Sequence, residues 1–163
     1  MSDANLPHVT VAAIIERDGR FLLVEEHTPQ GLRLNNPAGH LEAGENLLQA
    51  VVRETLEETA HGFRPTALLG VYQSHGMRQG AGVHYVRFAF VGELGEHEPS
   101  RDLDQGIVRT LWMSLDELRA SRERHRSPSV LQCAQDHATG RRWPLDLLHA
   151  DAHLDAAAQQ GSP

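Results

Sequence analysis

The chain has 163 residues, 40% apolar and 23% charged, and its 15 arginines against 22 aspartates and glutamates give a net charge of −7. This length fits one domain, residues 1–163, and the composition excludes a chain that is disordered as a whole. The absence of lysine excludes a P-loop lysine and a Schiff-base lysine, and the acidic balance argues against polymeric nucleic acid as a partner.

The first elements predicted along the chain are two β-strands joined as a hairpin. Apolar residues alternate over Val9–Ile15, and Asp18-Gly19 supplies a turn before the apolar run Phe21–Val24. Residues 28–37 are rich in proline and glycine and are predicted to form a loop.

A long helix is predicted to begin at Gly44-Glu45, because the apolar residues that follow recur at helical spacing. Gly62 and Pro65 are typical of its C-terminal end. Two longer strands are predicted next, at Ala67–Ser74 and Val83–Glu93.

The second half of the chain alternates loops with short elements. Residues 92–106 are predicted to form a long surface loop, and residues 107–113 a short strand. Helices are predicted over 114–121, where Ser114 and Glu117 form a capping box, and over 129–137. The domain core is expected over about residues 7–148, and residues 149–163 are expected to form a frayed tail.

The cellular setting is predicted from what the sequence lacks. Cys133 is the only cysteine, so no intrachain disulfide forms, which suits a reducing compartment. The N-terminal segment has no basic and apolar regions of a signal peptide, and no apolar run approaches the ~18 residues of a membrane span. A cytoplasmic protein without a membrane partner is expected.

The segment richest in chemistry carries three carboxylates on one helix face. At about 100° per residue, Glu54, Glu57 and Glu58 fall within an arc of about 100° beside the apolar stripe. The Glu54–Glu58 pair is repulsive by roughly 0.2–0.5 kcal/mol, and partial burial raises carboxylate pKa values. A divalent cation removes both penalties, and oxygen ligands suit Mg²⁺ or Mn²⁺.

Three glutamates alone are more simply a solvated acidic face, so the surrounding residues decide the interpretation. Gly39, Glu45 and Arg53 precede the carboxylates at fixed spacings, in the run GHLEAGENLLQAVVRETLEETAH. Six such identities arise by chance in on the order of one in 10⁵ to 10⁶ chains of this length.

This run resembles the signature box of the Nudix hydrolases. It departs from that box at Thr55, Ala60 and His61, which suggests a helix that runs a turn longer and closes at Gly62. The segments PHVTVAAIIERDGRFLLVEE, NNPAGHLEAGE, YVRFAF, RSPSVLQCAQD and RRWPLDLL are similar to bacterial Nudix phosphatases of the NudJ type. The resemblance implies an α/β fold, a Nudix-type α/β/α sandwich with a mixed β-sheet. It also implies hydrolysis of nucleoside di- and triphosphates or of the pyrophosphate of the thiamine pyrimidine precursor.

The resemblance implies a role for each matching residue. Mg²⁺, with Mn²⁺ as the other candidate, would be held by Glu54, Glu57, Glu58 and the backbone carbonyl of Ala38, and Glu54 or Glu57 would be the general base. Arg53 would pair with Glu45 and orient the catalytic helix beside the box glycine, Gly39. A further ligand is expected among the late-loop acids, Glu93, Glu96, Glu98, Asp102 and Asp104, of which Asp104 is preferred.

The substrate is expected to be a small phosphoanhydride bound outside the box. Arg33, Asn36, Arg87 and Tyr85 are the candidate binding residues, because guanidinium groups suit phosphate oxygens. Leu34 stands where the family type often has an aromatic residue, which predicts altered stacking. The sequence leaves the oligomeric state open.

Two further readings stay open at this point. One is a catalytically silent nucleotide-binding or regulatory module that keeps the Nudix fold, and the other is a soluble scaffold with an incidental acidic helix. Retention of Glu54, Glu57 and Glu58 favours the enzyme, and a Glu58→Gln substitution separates the readings, because only an enzyme has turnover to lose.

Overall fold

The computed structural model describes residues 6–78 and 80–157, which form eight β-strands and four α-helices. The strands are β1 (His8–Ile14), β2 (Glu16–Arg17), β3 (Arg20–Thr28), β4 (Gly31–Asn35), β5 (Ala38–His40), β6 (His61–Arg78), β7 (Ala81–His97) and β8 (Ile107–Ser114). The helices are α1 (Leu47–Thr59), α2 (Leu115–Ala120), α3 (Ser129–Ala138) and α4 (Ala152–Ala157), with short 3₁₀ turns at Arg122–Arg124 and Leu145–Leu147.

The strands form two four-stranded sheets. The first has the order β5-β1-β7-β6, in which β1 and β7 are parallel and the other pairs are antiparallel. In the second, β3 lies between β4 and β8, with β2 paired to its start. The mixed first sheet confirms the predicted fold class.

The first sheet separates two apolar layers, because successive side chains of a strand point to opposite faces. On β1, Val11 and Ala13 pack in the cluster that contains Val51 of α1. Ala12 and Ile14 pack in the other cluster, with residues of α2 and α3. Helices therefore cover both faces of the sheet, as the predicted α/β/α sandwich requires.

The hairpin predicted at Asp18-Gly19 has its turn in the right place but a different first strand. Asp18 and Gly19 have φ values of 52° and 75°, the left-handed conformation that tight hairpin turns need. This turn joins the two-residue β2 to β3. The longer strand β1 instead pairs with β5 and β7, because the chain changes sheets at Ile15.

Helix α1 is shorter than predicted at both ends. Asn46, not Gly44-Glu45, caps its start: its side chain accepts from the Gln49 N–H, and the Gln49 side chain accepts from the Asn46 N–H. The helix ends at Thr59, because Ala60 turns left-handed with a φ of 56°. The extension to Gly62 is wrong, and Gly62 lies in β6.

Residues 28–37 are not a simple loop, since β4 occupies Gly31–Asn35 and pairs with β3. The strands predicted at Ala67–Ser74 and Val83–Glu93 are the middles of β6 and β7, so the loop predicted over residues 92–106 begins only after His97. The predicted capping box of α2 is present, with Ser114 and Glu117 bonded reciprocally.

Residues after α3 return to the edge of the first sheet. Leu68 of the edge strand β6 and Trp143 exchange backbone hydrogen bonds of 2.9 and 2.8 Å. The segment expected to be a frayed tail contains α4, and the Leu154 carbonyl accepts from the Gln49 side chain at 3.3 Å. Residues 158–163 lie outside the described residues. Within residues 6–78 and 80–157, no helix is long and apolar enough to cross a membrane.

Candidate active site

Three carboxylates from two parts of the chain meet beside helix α1. One oxygen from each of Glu54, Glu57 and Asp104 lies within 4.8 Å of the others. Glu54 is buried, Glu57 is half-buried and Asp104 is exposed. Glu54 and Glu57 lie three positions apart on one helix face, so the helix itself brings them together.

Asp104 is placed by backbone hydrogen bonds to the end of the same helix. Its N–H donates to the Glu57 carbonyl at 2.9 Å, and the Glu98 N–H donates to the Ala60 carbonyl at 2.7 Å. These bonds satisfy carbonyls that the end of a helix leaves without partners. Asp104 is the one predicted late-loop acid whose carboxylate joins Glu54 and Glu57. Glu93 pairs with Arg64 and Glu98 with Arg101, while Glu96 and Asp102 are exposed.

Arg53 contacts several of the acidic residues at once. Its guanidinium donates to Glu45 twice, at 2.9 and 2.7 Å, which is the pair predicted from the sequence. It also donates to Glu54 at 2.8 Å and to Glu57 at 3.1 Å. These contacts hold the pKa of Arg53 above its usual value, chiefly through the hydrogen bond to Glu45. Arg53 therefore contacts the helix carboxylates rather than the open cleft.

Gly39 gives the Glu54 carboxylate its space. A β-carbon at position 39 would lie 2.0 Å from the Glu54 Cδ and Oε1 atoms, far inside van der Waals contact. Only glycine fits there while Glu54 keeps its place. The box glycine is thus explained by a close approach and not by an unusual backbone angle.

Glu58 lies near this group, since the charges of Glu54 and Asp104 act on it, and is almost fully buried, with 7% of its surface exposed. Its carboxylate accepts from the Ala38 N–H at 2.8 Å. Burial raises the pKa of Glu58 to about 9, against the opposing effect of the Ala38 hydrogen bond. The structure therefore gathers Glu54, Glu57 and Asp104, while Glu58 lies beside Ala38.

The carboxylate group favours a positive ligand. Burial raises the pKa of Glu54, the Arg53 contact opposes this, and the charges of Glu57 and Asp104 add to it. Oxygen atoms from three carboxylates, partly withdrawn from water, are the donor set that hard divalent cations prefer. In the part of the chain that the structure describes, no other group of three acidic, histidine or cysteine side chains converges in this way.

An open cleft of about 480 Å³ adjoins the carboxylates at Gly39. Three of the four predicted substrate-binding residues, Arg33, Tyr85 and Arg87, line it. The fourth, Asn36, is only 1% exposed, accepts a hydrogen bond from Arg87 and is not among the lining residues, so its contact with substrate stays a prediction. Leu34 is fully buried in the core, because alternation along β4 turns it away from the cleft.

Sequence reasoning missed several cleft residues. Thr10 lies on β1, Glu26 on β3, and Arg126 in the segment before α3. Arg126 and Glu26 form an ion pair of 3.8 Å across the cleft wall. Arg126 begins the segment RSPS before α3. Its contact with Glu26 depends on how α3 packs against the sheet, so no local sequence pattern indicates it.

Comparison with known proteins identifies the family of this chain. Residues 6–132 match the NUDIX domain family. The chain belongs to the Nudix family. This Nudix protein is 36% identical over 143 residues to "Phosphatase NudJ" of Escherichia coli strain K12, which covers 87% of this chain and 90% of that protein. The same values describe "Phosphatase NudJ" of Shigella sonnei.

Solved structures agree with this assignment. A NUDIX hydrolase from Nitrosomonas europaea is 50% identical with a TM-score of 0.82, covering 90% of this chain and 98% of that one. A MutT NUDIX hydrolase from Burkholderia pseudomallei, at 23% identity and a TM-score of 0.67, shares the fold over 81% of this chain and 98% of that one. The predicted family and the predicted enzyme class, a Nudix hydrolase acting on phosphoanhydrides, are confirmed.

Proposed function

We propose that this Nudix hydrolase is a Mg²⁺-dependent pyrophosphohydrolase, with Mn²⁺ as the alternative ion. Its substrates are nucleoside di- or triphosphates or the pyrophosphate of the thiamine pyrimidine precursor. The observation that carries the proposal is the carboxylate group Glu54, Glu57 and Asp104, which adjoins an arginine-lined cleft at Gly39. Such an arrangement puts cation ligands and phosphate-binding groups on two sides of one small molecule.

The residues fit a divalent ion. The donor set is purely oxygen, and the gap at Gly39 lets Glu54 approach the other two ligands. We assign Glu54, Glu57 and Asp104 as ligands, with Glu58 and the Ala38 carbonyl completing the site. When bound, the ion supplies charge neutralisation for the phosphoryl oxygens and a lowered pKa for water.

Individual side chains have separate roles in the reaction. Glu54 or Glu57 accepts the proton of the attacking water, because both carboxylates lie in the group beside the cleft. Arg53 does not touch the substrate in this scheme. It keeps both carboxylates pointing the same way and is itself fixed by Glu45 and by the His40 carbonyl, 3.0 Å away.

The cleft binds the substrate. Arg33 and Arg87 offer guanidinium groups to the phosphate oxygens that do not contact the ion, and Tyr85 offers a flat ring to the organic part. The partner is therefore a small anionic molecule and not a nucleic acid polymer, which this chain of net charge −7 would repel.

The test is release of phosphate or pyrophosphate from nucleoside di- and triphosphates and hydroxymethylpyrimidine pyrophosphate, with and without Mg²⁺. Asp104→Asn is compared with Asp102→Asn, a matched change at an exposed acid of the same loop. We expect Asp104→Asn to lower kcat/KM about tenfold or more, by loss of one charged ligand, and Asp102→Asn to match the wild type. Wild-type protein that hydrolyses none of these compounds with either ion would refute the proposal.

A further inference from the structure

Arg87 occupies the middle of the cleft floor. Strand register places His40, Thr10, Arg87 and Tyr72 in one row across β5, β1, β7 and β6. Directly opposite residues of neighbouring strands point to the same face of a sheet. Arg87 is thus the cation in a row that crosses the sheet beneath the cleft.

Neutral groups hold the Arg87 guanidinium. It donates to the side-chain carbonyl of Asn35 at 3.1 Å and to that of Asn36 at 3.3 Å. Among the residues the structure describes, no carboxylate forms an ion pair with it. Arg53 provides the contrast, because its guanidinium meets four carboxylates, those of Glu42, Glu45, Glu54 and Glu57.

Three acidic groups, Glu26, Glu58 and Cys133, act on Arg87 electrostatically, and neither carboxylate forms an ion pair with it. Glu26 accepts from the Asn35 amide at 3.3 Å and faces Arg126, and burial raises its pKa. The Cys133 thiol lies against Arg87, and burial raises its pKa to about 11, so it stays protonated at neutral pH. Arg87 itself remains a cation, because a guanidinium does not lose its proton in proteins.

A second polar group beside Arg87 lacks a partner. Thr10 is 8% exposed and lines the cleft, and its hydroxyl is buried with no hydrogen-bond partner in the described structure. A buried hydroxyl without a partner costs roughly 1–3 kcal/mol. Thr10 lies opposite Arg87 in the register, so the two side chains are neighbours on one face of the sheet.

We propose that Asn36 is a positioning residue that holds Arg87 as a cation with no ion-pair partner, so that Arg87 selects an anionic oxygen of the substrate. The proposal rests on the proposed function and adds to it the residue that sets the cleft's charge selectivity. An amide at position 36 orients the guanidinium without cancelling its charge. A carboxylate of the same shape would orient it equally well and cancel the charge.

The test is Asn36→Asp, measured alone and in an Arg87→Gln background. We expect Asn36→Asp to raise KM for a nucleoside triphosphate about tenfold or more while kcat changes less than about threefold, since the charge lost acts on substrate binding. In the Arg87→Gln background the same substitution adds little, because its effect passes through Arg87. Asn36→Ala, which removes the acceptor but leaves the cation, raises KM less than Asn36→Asp.

Two results overturn the proposal: an unchanged KM in folded Asn36→Asp, or an equal rise of KM with and without Arg87. If Asn36→Asp does not fold, Asn36→Ala is judged by the same results, since its smaller rise of KM should also disappear when Arg87 is replaced. Calorimetric binding of inorganic pyrophosphate separates this proposal from the proposed function. Wild-type protein that binds pyrophosphate more tightly than the Asp variant supports the role of Asn36 even without turnover, and equal binding contradicts it.

Discussion

Two buried glutamates, Glu25 on β3 and Glu58 on α1, have almost the same exposure but opposite electrostatic surroundings. Glu25 is 4% exposed and Glu58 is 7% exposed. Glu25 lies between Arg109, at 2.8 Å, and Arg124, and the Arg109 hydrogen bond holds its pKa below the usual value. Glu58 has one backbone N–H, and burial raises its pKa to about 9.

The difference gives the ionisation of the two carboxylates opposite effects on the native state. Glu25 forms ion pairs with two arginines, so its ionisation stabilises the native state. Among the described residues Glu58 forms no ion pair, so its ionisation destabilises the native state until a proton or a metal ion compensates the charge. Strongly perturbed carboxylates of the second kind concentrate at functional sites. The comparison therefore points to α1 and not to β3 for chemistry, independently of any motif.

The largest expected effect is on turnover. Glu58→Gln should lower kcat/KM about 100-fold or more, by loss of a charge worth several kcal/mol at the phosphoryl transition state. Glu25→Gln should change kcat/KM less than about threefold, because its arginines lie outside the carboxylate group. Steady-state kinetics on the best substrate of the panel, with circular dichroism as a folding control, checks both. Equal losses of kcat/KM in the two variants would show that Glu58 contributes no more to turnover than Glu25.

The next effect is on stability without metal. Glu58 stays protonated in the native state between its unfolded pKa of about 4.5 and its native pKa of about 9, while the unfolded chain ionises. The unfolding free energy therefore falls as pH rises through this window, by at most about 1.4 kcal/mol per pH unit. Glu58→Gln removes this loss.

We expect a melting temperature for Glu58→Gln at least about 4–8 °C above wild type at pH 8.5 in EDTA, corresponding to about 2 kcal/mol or more. At pH 5 the two proteins should melt together. Differential scanning fluorimetry across pH measures the trend. A variant that melts below wild type at pH 8.5 would show that the burial of Glu58 is relieved in some other way.

Divalent ions should produce a somewhat smaller stabilisation. Mg²⁺ at ten times its dissociation constant adds about 1.4 kcal/mol to the unfolding free energy, or roughly 3–5 °C. The gain should be larger at pH 8.5 than at pH 6, because ligand carboxylates must lose their protons. Melting curves with Mg²⁺ and with Ca²⁺ as control measure it, and an equal shift in a Glu54→Gln variant would place the ion elsewhere.

The smallest effect concerns Glu25. Its lowered pKa stabilises the native state above the unfolded pKa, and this contribution is lost as pH falls through the native pKa. Glu25→Gln should therefore cost about 1 kcal/mol at pH 7, since both arginines are half exposed and solvent screens them. The cost should shrink as the pH falls below the native pKa of Glu25. Urea unfolding over a series of acidic pH values measures it, and a cost that persists in acid would indicate packing instead of charge.

The sequence predicted the parts of the fold that local patterns control. The apolar period of α1 and the capping box of α2 act within a few residues, so both helices could be found. The left-handed turn at Ala60 could not, because alanine gives no signal for it. The strand β4 was missed because it is five residues long and pairs only through contact with β3.

The candidate site divides in the same way. Glu54 and Glu57 follow from helical spacing, and the Arg53–Glu45 pair follows from the resemblance. The position of Asn36 behind Arg87 depends on how β4 and β7 are brought together, which spacing along the chain does not encode. Long-range packing, and not residue type, determines which of the predicted residues line the cleft.

The contact between Leu68 and Trp143 has a consequence for behaviour at high concentration. A strand at the edge of a sheet presents free N–H and C=O groups to any other extended chain. Trp143 already occupies both groups of Leu68, so a strand from another molecule cannot add to β6 at that residue. The segment that follows α3 thus prevents intermolecular strand pairing at Leu68 of this edge.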